Sequence, residues 1–307
     1  MGMSWFWATI GCIFNAALVL VLAPLFEGIL RKVTARVQSR KGPPLLQPYY
    51  DLFKLLGKED IESGETPWAQ RFAAWLSMGV VLAAVCFVPM GFRAPLGGAG
   101  DALVLIYLLM LGGLCTLMAG LAAGSTYSLL GMSREMMLMI TLEPLFAVAM
   151  IVGAVHANSL RLDAVLGGAV YEGRFGVSGL LMLAVSMASF QALVQRVPFD
   201  IPEAETEIME GPLSEYSGPK LALFKWARMA KLVVYAALFV ALFVPWGSGL
   251  PFPVGLGLFW CKVLVLVLLV TLVAATHARY RVDQAVRYFG GMLVIAVVAL
   301  ILATYGY

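Results

Sequence analysis

Long apolar runs dominate the chain, and most polar residues lie in the segments between them. A helix needs about 20 apolar residues to cross the roughly 30 Å hydrocarbon core of a bilayer. The runs do not alternate apolar with polar residues, as the strands of a closed membrane barrel would. The pattern therefore predicts eight transmembrane helices, at about 5–26, 74–92, 102–123, 136–156, 178–196, 230–246, 254–276 and 287–305.

The predicted fold is an all-α integral membrane protein in which residues 1–307 form a single transmembrane domain. The composition supports this, because 61% of the residues are hydrophobic and only 13% are charged, whereas soluble domains are about one quarter charged. The first apolar run has no basic segment before it and no small-residue cleavage site after it. No cleavable signal peptide is therefore expected.

The cysteines lie singly inside apolar runs, without any C-x-x-C pair, at Cys12, Cys86, Cys115 and Cys261. Isolated cysteines of this kind behave as small buried hydrophobic residues. The chain is therefore not expected to hold an iron–sulfur cluster or a structural zinc.

The distribution of positive charge predicts the orientation in the membrane. An even number of spans places both termini on one side, and the segments on the opposite side, with their immediate flanks, hold 17 of the 21 Lys and Arg residues. Because Lys and Arg accumulate on the cytoplasmic side, we expect both termini to face outward, away from the cytoplasm. Two long loops on the cytoplasmic side, 31–73 and 197–229, are where function is expected.

Two carboxylates lie within or at the end of predicted spans. Glu143 is near the middle of the fourth span and is followed by Pro144. Ionisable residues at this depth are costly and mostly persist for proton or ion handling, although Glu143 could instead be a structural residue hydrogen-bonded inside the bundle. Glu27, at the end of the first span, could extend to the interface or pair with Arg31 one turn later.

The second long loop contains an unusual concentration of acidic residues in the stretch RVPFDIPEAETEIMEGPLSEYSG. If 202–210 is helical, Glu203, Glu207 and Glu210 share one face. Like charges this close disfavour simultaneous ionisation, which is typical of a proton relay or of a docking surface for a basic partner. A solvated acidic loop is the plainer alternative, but the interspersed apolar residues and prolines argue against it.

The first long loop begins with basic residues and continues, after Gly42-Pro43-Pro44, as a short amphipathic helix. Such a helix could lie in the lipid headgroup layer or support a peripheral protein, and the sequence leaves both open. The predicted apolar side consists of Leu52, Phe53, Leu55 and Leu56, and the polar side of Asp51, Lys54 and Lys58.

These features resemble, over nearly the whole chain, the H subunit of respiratory complex I and the related subunit of membrane-bound, energy-converting nickel–iron hydrogenases. The first-loop stretch RVQSRKGPPLLQPYYDLFKLLGKED is similar to the family pattern R-x-Q-x-R-x-G-P followed by L-L-Q-P-x-x-D-x-x-K-L-x-x-K-E. The stretch YSLLGMSREMMLMITLE is similar to Y-S-L-L-G-x-x-R with a glutamate nine residues after the arginine, which places Arg134 and Glu143 on the family's arginine and channel glutamate. The stretch RVPFDIPEAETEI, with EYSG after it, resembles the family's R-x-P-F-D-L-P-E-A-E-T-E-L and E-Y-S-G almost letter for letter.

The resemblance implies a subunit without redox centres or catalytic residues of its own. It would anchor a soluble electron-transfer arm and pass a signal into the membrane through buried carboxylates. The expected proton-relay residues are Glu143, Asp200, Glu203, Glu205, Glu207, Glu210 and Glu215, with Glu27 as a further candidate. The expected docking or coupling residues are Arg36, Arg40, Lys41, Asp51, Lys54, Arg134 and Arg196.

Two departures from the quinone-reducing members favour the hydrogenase branch. The first loop runs directly from Gly42-Pro43-Pro44 to Leu45, without the residues that resemble a quinone-chamber insert, and Leu193 stands where those members often carry a relay carboxylate. The expected partners are hydrogenase large and small subunits, a ferredoxin-like iron–sulfur subunit and antiporter-like membrane subunits, and these would carry the nickel–iron centre and the clusters. The alternative is the quinone-site subunit of a complex I-type NADH:quinone oxidoreductase. A secondary transporter is disfavoured because no internal repeat is visible.

Overall fold

The computed structural model describes residues 5–61, 66–167, 176–247, 250, 251 and 253–306. Regular structure in these residues is helical, apart from one isolated bridge between Asp101 and Arg161. The helices are α1 (Trp5–Val37), α2 (Gln47–Leu56), α3 (Pro67–Phe87), α4 (Ala102–Ala123), α5 (Thr126–Ala157), α6 (Leu162–Val165), α7 (Val177–Leu193), α8 (Glu205–Ile208), α9 (Gly218–Phe243), α10 (Val254–Thr276) and α11 (Val282–Thr304).

The helices confirm the predicted fold class. Seven of those described are long and apolar enough to cross a bilayer, namely α1, α3, α4, α5, α9, α10 and α11. An eighth apolar helix, α7, has 17 residues and is therefore about 25 Å long at 1.5 Å per residue. The protein is an all-α integral membrane protein with about eight membrane-crossing helices.

Several predicted boundaries were wrong because the long helices continue well beyond their apolar runs. The predicted loop segment 124–135 is helical from Thr126 onward, and α9 begins at Gly218 rather than near 230. Likewise α1 reaches Val37 and α3 begins at Pro67, so that the first loop comprises 38–66 rather than 31–73. In α1, α5 and α9 these extensions carry charged residues whose partners lie inside the protein, and hydropathy alone does not recognise them as helical.

Helix α9 is the centre of the bundle. It is buried along nearly its whole length, whereas the apolar surfaces of α10 and α11 are mostly uncovered by the rest of the chain. It packs against α1, α2, α3 and α10. Side chains on α9 can therefore reach several neighbouring helices, which makes α9 the natural support for a buried polar site.

The two loops on the side opposite the termini are joined at the beginning of α9. The Ile61 amide donates to Ser217 Oγ at 3.1 Å, and Lys220 Nζ lies 3.3 Å from Asp60 Oδ1. Gly218 has a φ of +54°, and a Cβ on it would lie 2.6 Å from the Glu59 carbonyl oxygen. Only glycine allows the backbone at 218 to approach the Glu59 carbonyl this closely. The end of the first loop is therefore held firmly against the first turn of α9.

Candidate functional site

Helix α9 carries three cationic side chains at intervals of three residues, and each faces acidic partners. Lys225 Nζ lies 3.4 Å from Glu210 Oε1, and Arg228 forms an ion pair with Glu203. Lys231, the deepest of the three, acts electrostatically on carboxylates of α5. Lys225 and Lys231 are about 9 Å apart along the helix axis. The row of cations therefore leads from the loop side into the bundle.

Glu27 is the centre of a second cluster, close to Arg228. It is only 3% exposed and accepts from Arg31 Nε at 3.3 Å and from the guanidinium of Arg196. Of the two alternatives for Glu27, pairing with Arg31 is therefore the one observed. Arg31 also holds Asp51 through Nη1 at 2.9 Å, and this contact connects α2 to the cluster.

A polar cavity of about 140 Å³ connects these groups. One water occupies about 30 Å³ in the liquid, so the cavity has room for roughly four waters. Its lining joins the loop-side charges to groups inside the bundle, and includes Glu27, Arg31, Glu203, Glu210, Lys225, Arg228, Thr116, Gln195 and Lys231. The cavity therefore extends from the arginine cluster to the depth of Lys231.

Glu135 is a buried carboxylate that sequence reasoning missed. It accepts a 2.6 Å hydrogen bond from Gln195 Nε2, and Gln195 lines the cavity. Lys231 supplies the nearby positive charge. Glu135 was overlooked because 124–135 was predicted to be a loop. The sequence did contain an indication that Glu135 is buried, because it lies eight residues before Glu143 in an otherwise apolar stretch.

Glu143 lies half-buried on α5, one residue before the proline inside that helix. The charge of Lys231 acts on both Glu143 and Glu135. Lys231 Nζ also lies 5.7 Å from the centroid of the Tyr235 ring, within cation–π range. The structure thus places Glu143 beside the deepest cation of α9, while its role in proton exchange stays a prediction.

The acidic loop does not form the predicted helix over 202–210. Helix α8 is a single turn, Glu205–Ile208, and Met209 and Glu210 both adopt left-handed backbone conformations with φ of 50° and 68°. The prediction that Glu203, Glu207 and Glu210 share a helix face was therefore wrong. Each pairs with a different cation, and these separate ion pairs, with the bends at Pro202 and Pro212, outweigh the local helical pattern.

The remaining acidic residues of this loop have distinct environments. Arg134 Nη1 donates to Glu207 Oε2 at 2.8 Å, and this hydrogen bond holds the pKa of Glu207 below its usual value. Asp200 lies 3.2 Å from Arg279, yet burial outweighs the attraction of that arginine and Arg228 and raises the pKa of Asp200.

Two members of the predicted relay remain to be described. Glu215 is exposed. The side chain of Glu205 lies outside the described part of the structure.

The predicted docking residues divide into two groups. Asp51, Arg134 and Arg196 form ion pairs within the chain. The other four, Arg36, Arg40, Lys41 and Lys54, have exposed side chains. Within the described ranges, no three His, Cys, Asp or Glu side chains come together in a way that could hold a metal ion.

A bundle of membrane-crossing helices that pairs its charges around an internal cavity defines a class of protein, the multi-pass membrane proteins with a buried charged site. The chain belongs to the NADH dehydrogenase family, whose sequence profile matches residues 10–305.

Relatives in this family come from two kinds of complex. The chain is 34% identical to formate hydrogenlyase subunit 4 of Escherichia coli over 279 residues, covering 88% of this chain and 91% of the relative. It is 37% identical to hydrogenase-4 component C of the same organism over 235 residues, covering 76% and 74%. It is also 31% identical to an NADH-quinone oxidoreductase H subunit of Geobacter sulfurreducens over 292 residues, covering 84% and 82%.

A solved structure shares the fold. A chain of the membrane-bound sulfane sulfur reductase, an archaeal respiratory membrane complex, superposes with a TM-score of 0.85 at 27% sequence identity. The match covers 95% of this chain and 99% of the other. The arrangement of helices described above is therefore that of a subunit within a respiratory membrane assembly.

Proposed function

We propose that this protein is the membrane anchor and ion-translocation subunit of a multisubunit, energy-converting nickel–iron hydrogenase. Its similarity to two hydrogenase-complex subunits along most of the chain supports this assignment. So does the short first loop, in which Leu45 follows Gly42-Pro43-Pro44 directly. The protein would link hydrogen evolution in a peripheral arm to the movement of protons or sodium ions.

The observation that carries this proposal is the polar cavity and the row of cations along α9 that borders it. A charge change among Glu27, Arg196 and Arg228 would be felt by the deeper Lys231, because Lys231 follows Arg228 by three residues, about 4.5 Å along the axis of α9. Two unit charges 9 Å apart interact by about 2 kcal/mol at an effective dielectric constant near 20. An interaction of that size is enough to shift a proton between Glu135 and Glu143, and the loop cluster can thereby bias proton occupancy inside the membrane.

The exposed basic residues of the first loop are the proposed contact for the soluble arm. Arg36, Arg40 and Lys41 project beyond the bundle, and a complementary acidic surface would be steered to them. The partners in this proposal are hydrogenase large and small subunits, a ferredoxin-like iron–sulfur subunit and antiporter-like membrane subunits. The nickel–iron site and the clusters of those partners would supply the redox chemistry.

The proposed orientation places this loop side in the cytoplasm. The segments on that side hold 17 of the 21 Lys and Arg residues, and positive charge accumulates on the cytoplasmic side of a membrane. The location would be the cytoplasmic membrane of a prokaryote, with both termini outside.

The first test is the nickel content of the intact complex purified through a tag on this chain. About one nickel per copy, with hydrogen evolution from reduced ferredoxin or a comparable donor, is the expected result. A complex that contains iron–sulfur clusters but no nickel would contradict the hydrogenase assignment.

A second candidate is the quinone-site subunit of a complex I-type dehydrogenase. It is favoured by 30–32% identity to several NADH-quinone oxidoreductase H subunits over most of the chain. The cavity is smaller than the roughly 300–1,000 Å³ typical of ligand pockets, and seven of its sixteen lining residues are charged, which argues against a quinone in it. Quinone reduction by the nickel-free complex would decide for this alternative.

A further inference from the structure

Helix α2 has two faces of opposite character. At 100° per residue, Phe53 and Leu56 lie within about 40° of Tyr49 around the helix. Asp51 and Lys54 lie on the opposite side, and Lys58 follows two residues after the end of the helix. The apolar face is not covered by the rest of the chain, because Phe53 is 67% exposed and Leu56 is 39% exposed.

Two contacts with α1 fix the direction in which these faces point. The Tyr49 hydroxyl donates to the Val21 carbonyl oxygen, whereas Asp51 pairs with Arg31. Val21 and Arg31 are ten residues apart and hence about 15 Å apart along α1. The Tyr49 face therefore points toward the middle of the membrane, and the Asp51 face points toward the aqueous loop side.

The depth of α2 follows from the length of α1. Trp5 and Trp7, both exposed near the N-terminal end of α1, have the character of an interfacial aromatic belt. About 20 helical residues span the hydrocarbon core, which places the opposite boundary near residue 25. Val21 is then inside the hydrocarbon and Arg31 outside it. Helix α2, which touches both, lies at the boundary.

We propose that α2 is a lipid-binding helix in the interfacial layer, with its Phe53 and Leu56 face covered by acyl chains and with Lys54 and Lys58 at anionic lipid phosphates. A soluble partner approaching from water meets the Asp51 side and does not reach Phe53. The basic side chains complement anionic headgroups, which attract Lys and Arg near the membrane surface. This inference is independent of the terminal redox chemistry of the complex.

The test is photo-crosslinking in the intact complex, reconstituted in vesicles of phosphatidylcholine and phosphatidylglycerol mixed about four to one. Phe53 is replaced by the photoreactive amino acid benzoylphenylalanine, and the mass of this subunit is measured after illumination. A lipid-sized increase is expected. An adduct with another protein subunit would overturn the proposal. The control places the same group at Val37, which is exposed well beyond the boundary and should give no lipid adduct.

The headgroup preference has its own readout, the composition of the lipids crosslinked at position 53. Phosphatidylglycerol should exceed its share of the vesicle by about twofold or more, because two lysines near the surface attract anionic lipid. Lys54→Gln with Lys58→Gln should return that share to the bulk value, whereas Arg281→Gln with Arg287→Gln, on α11, should leave it unchanged. If the protein with both lysines intact crosslinks phosphatidylglycerol only in proportion to its share of the vesicle, the proposed headgroup contact is overturned.

Discussion

At the scale of single residues, Glu27 is only 3% exposed and holds two arginines. Removing one member of a buried ionic cluster leaves the others uncompensated, which typically costs about 3–5 kcal/mol. The roles of Arg31 and Arg196 are therefore structural as well as electrostatic. The same reasoning does not apply to Asp51, which is half-exposed.

We expect Glu27→Gln to destabilise the protein by about 3 kcal/mol, because Arg31 and Arg196 lose their shared negative charge. The measurement is the temperature at which the detergent-solubilised complex loses this subunit. Asp51→Asn is the matched control and should have a much smaller effect, since water can solvate Arg31 in its place. Equal losses in both variants would contradict the central position of Glu27.

Glu143→Gln should uncouple or slow turnover while leaving assembly intact, because the amide cannot exchange a proton with the Lys231 region. Glu135→Gln should act in the same way, since it faces the same cation. The readout is proton movement into vesicles measured alongside hydrogen evolution. Asp163→Asn, at an exposed position outside the predicted relay, is the control. Normal proton movement in both buried variants would exclude these carboxylates from the route.

The Arg134–Glu207 pair should weaken in acid. The folded-state pKa of Glu207 is lowered by Arg134, so the stability contributed by this pair is present above the ordinary glutamate pKa and is lost as the pH falls through the lowered value. The protection of the α8 amides against hydrogen exchange, expressed relative to the intrinsic exchange rate at each pH, should therefore be lower at pH 3 than at pH 6. Glu207→Gln should show low protection at both pH values, and a variant with the same pH dependence of protection as the parent would refute the assignment.

At the scale of helices and loops, the exposed basic residues of the first loop are expected to bind the soluble arm, whereas the ion-paired basic residues stabilise the fold. Arg36→Glu with Arg40→Glu should loosen the soluble arm, because both side chains are exposed and face the proposed docking side. Co-purification of partner subunits at about 0.15 M salt, where screening acts over roughly 8 Å, is the assay. Arg93→Glu, exposed on the opposite side of the membrane, should have no effect. Normal recovery of the arm in the double variant would refute this contact.

The sequence predicted helices where an apolar run was long, and failed where tertiary partners decided the conformation. The eight spans follow from hydropathy alone. The early starts of α5 and α9 do not, because Glu135, Lys225 and Arg228 are polar in the sequence and their partners are known only from the folded structure. The 202–210 stretch has a helical spacing of carboxylates, but three separate cations hold Glu203, Glu207 and Glu210, and this tertiary arrangement is invisible in one sequence.

At the scale of the whole molecule, the charge asymmetry predicts the orientation. We expect alkaline phosphatase fused at the C-terminus to be active in a bacterial host, because both termini should face outward and the enzyme folds only outside the cytoplasm. A fusion after Lys58, in the first loop, should be inactive. The opposite pattern would invert the proposed topology and place the docking loop on the wrong side for a cytoplasmic partner.

The lock between residues 59–61 and the first turn of α9 has a consequence for protein engineering. Asp60 forms an ion pair with Lys220, and Gly218 packs on the Glu59 carbonyl. The end of the first loop and the beginning of α9 therefore form one rigid unit. Lys231 lies about 20 Å further along the same stiff helix. A chimaera that takes its first loop from a relative should therefore also take residues 217–220 from that relative. Otherwise a mismatch at this contact would shift α9 and separate its cations from their carboxylate partners.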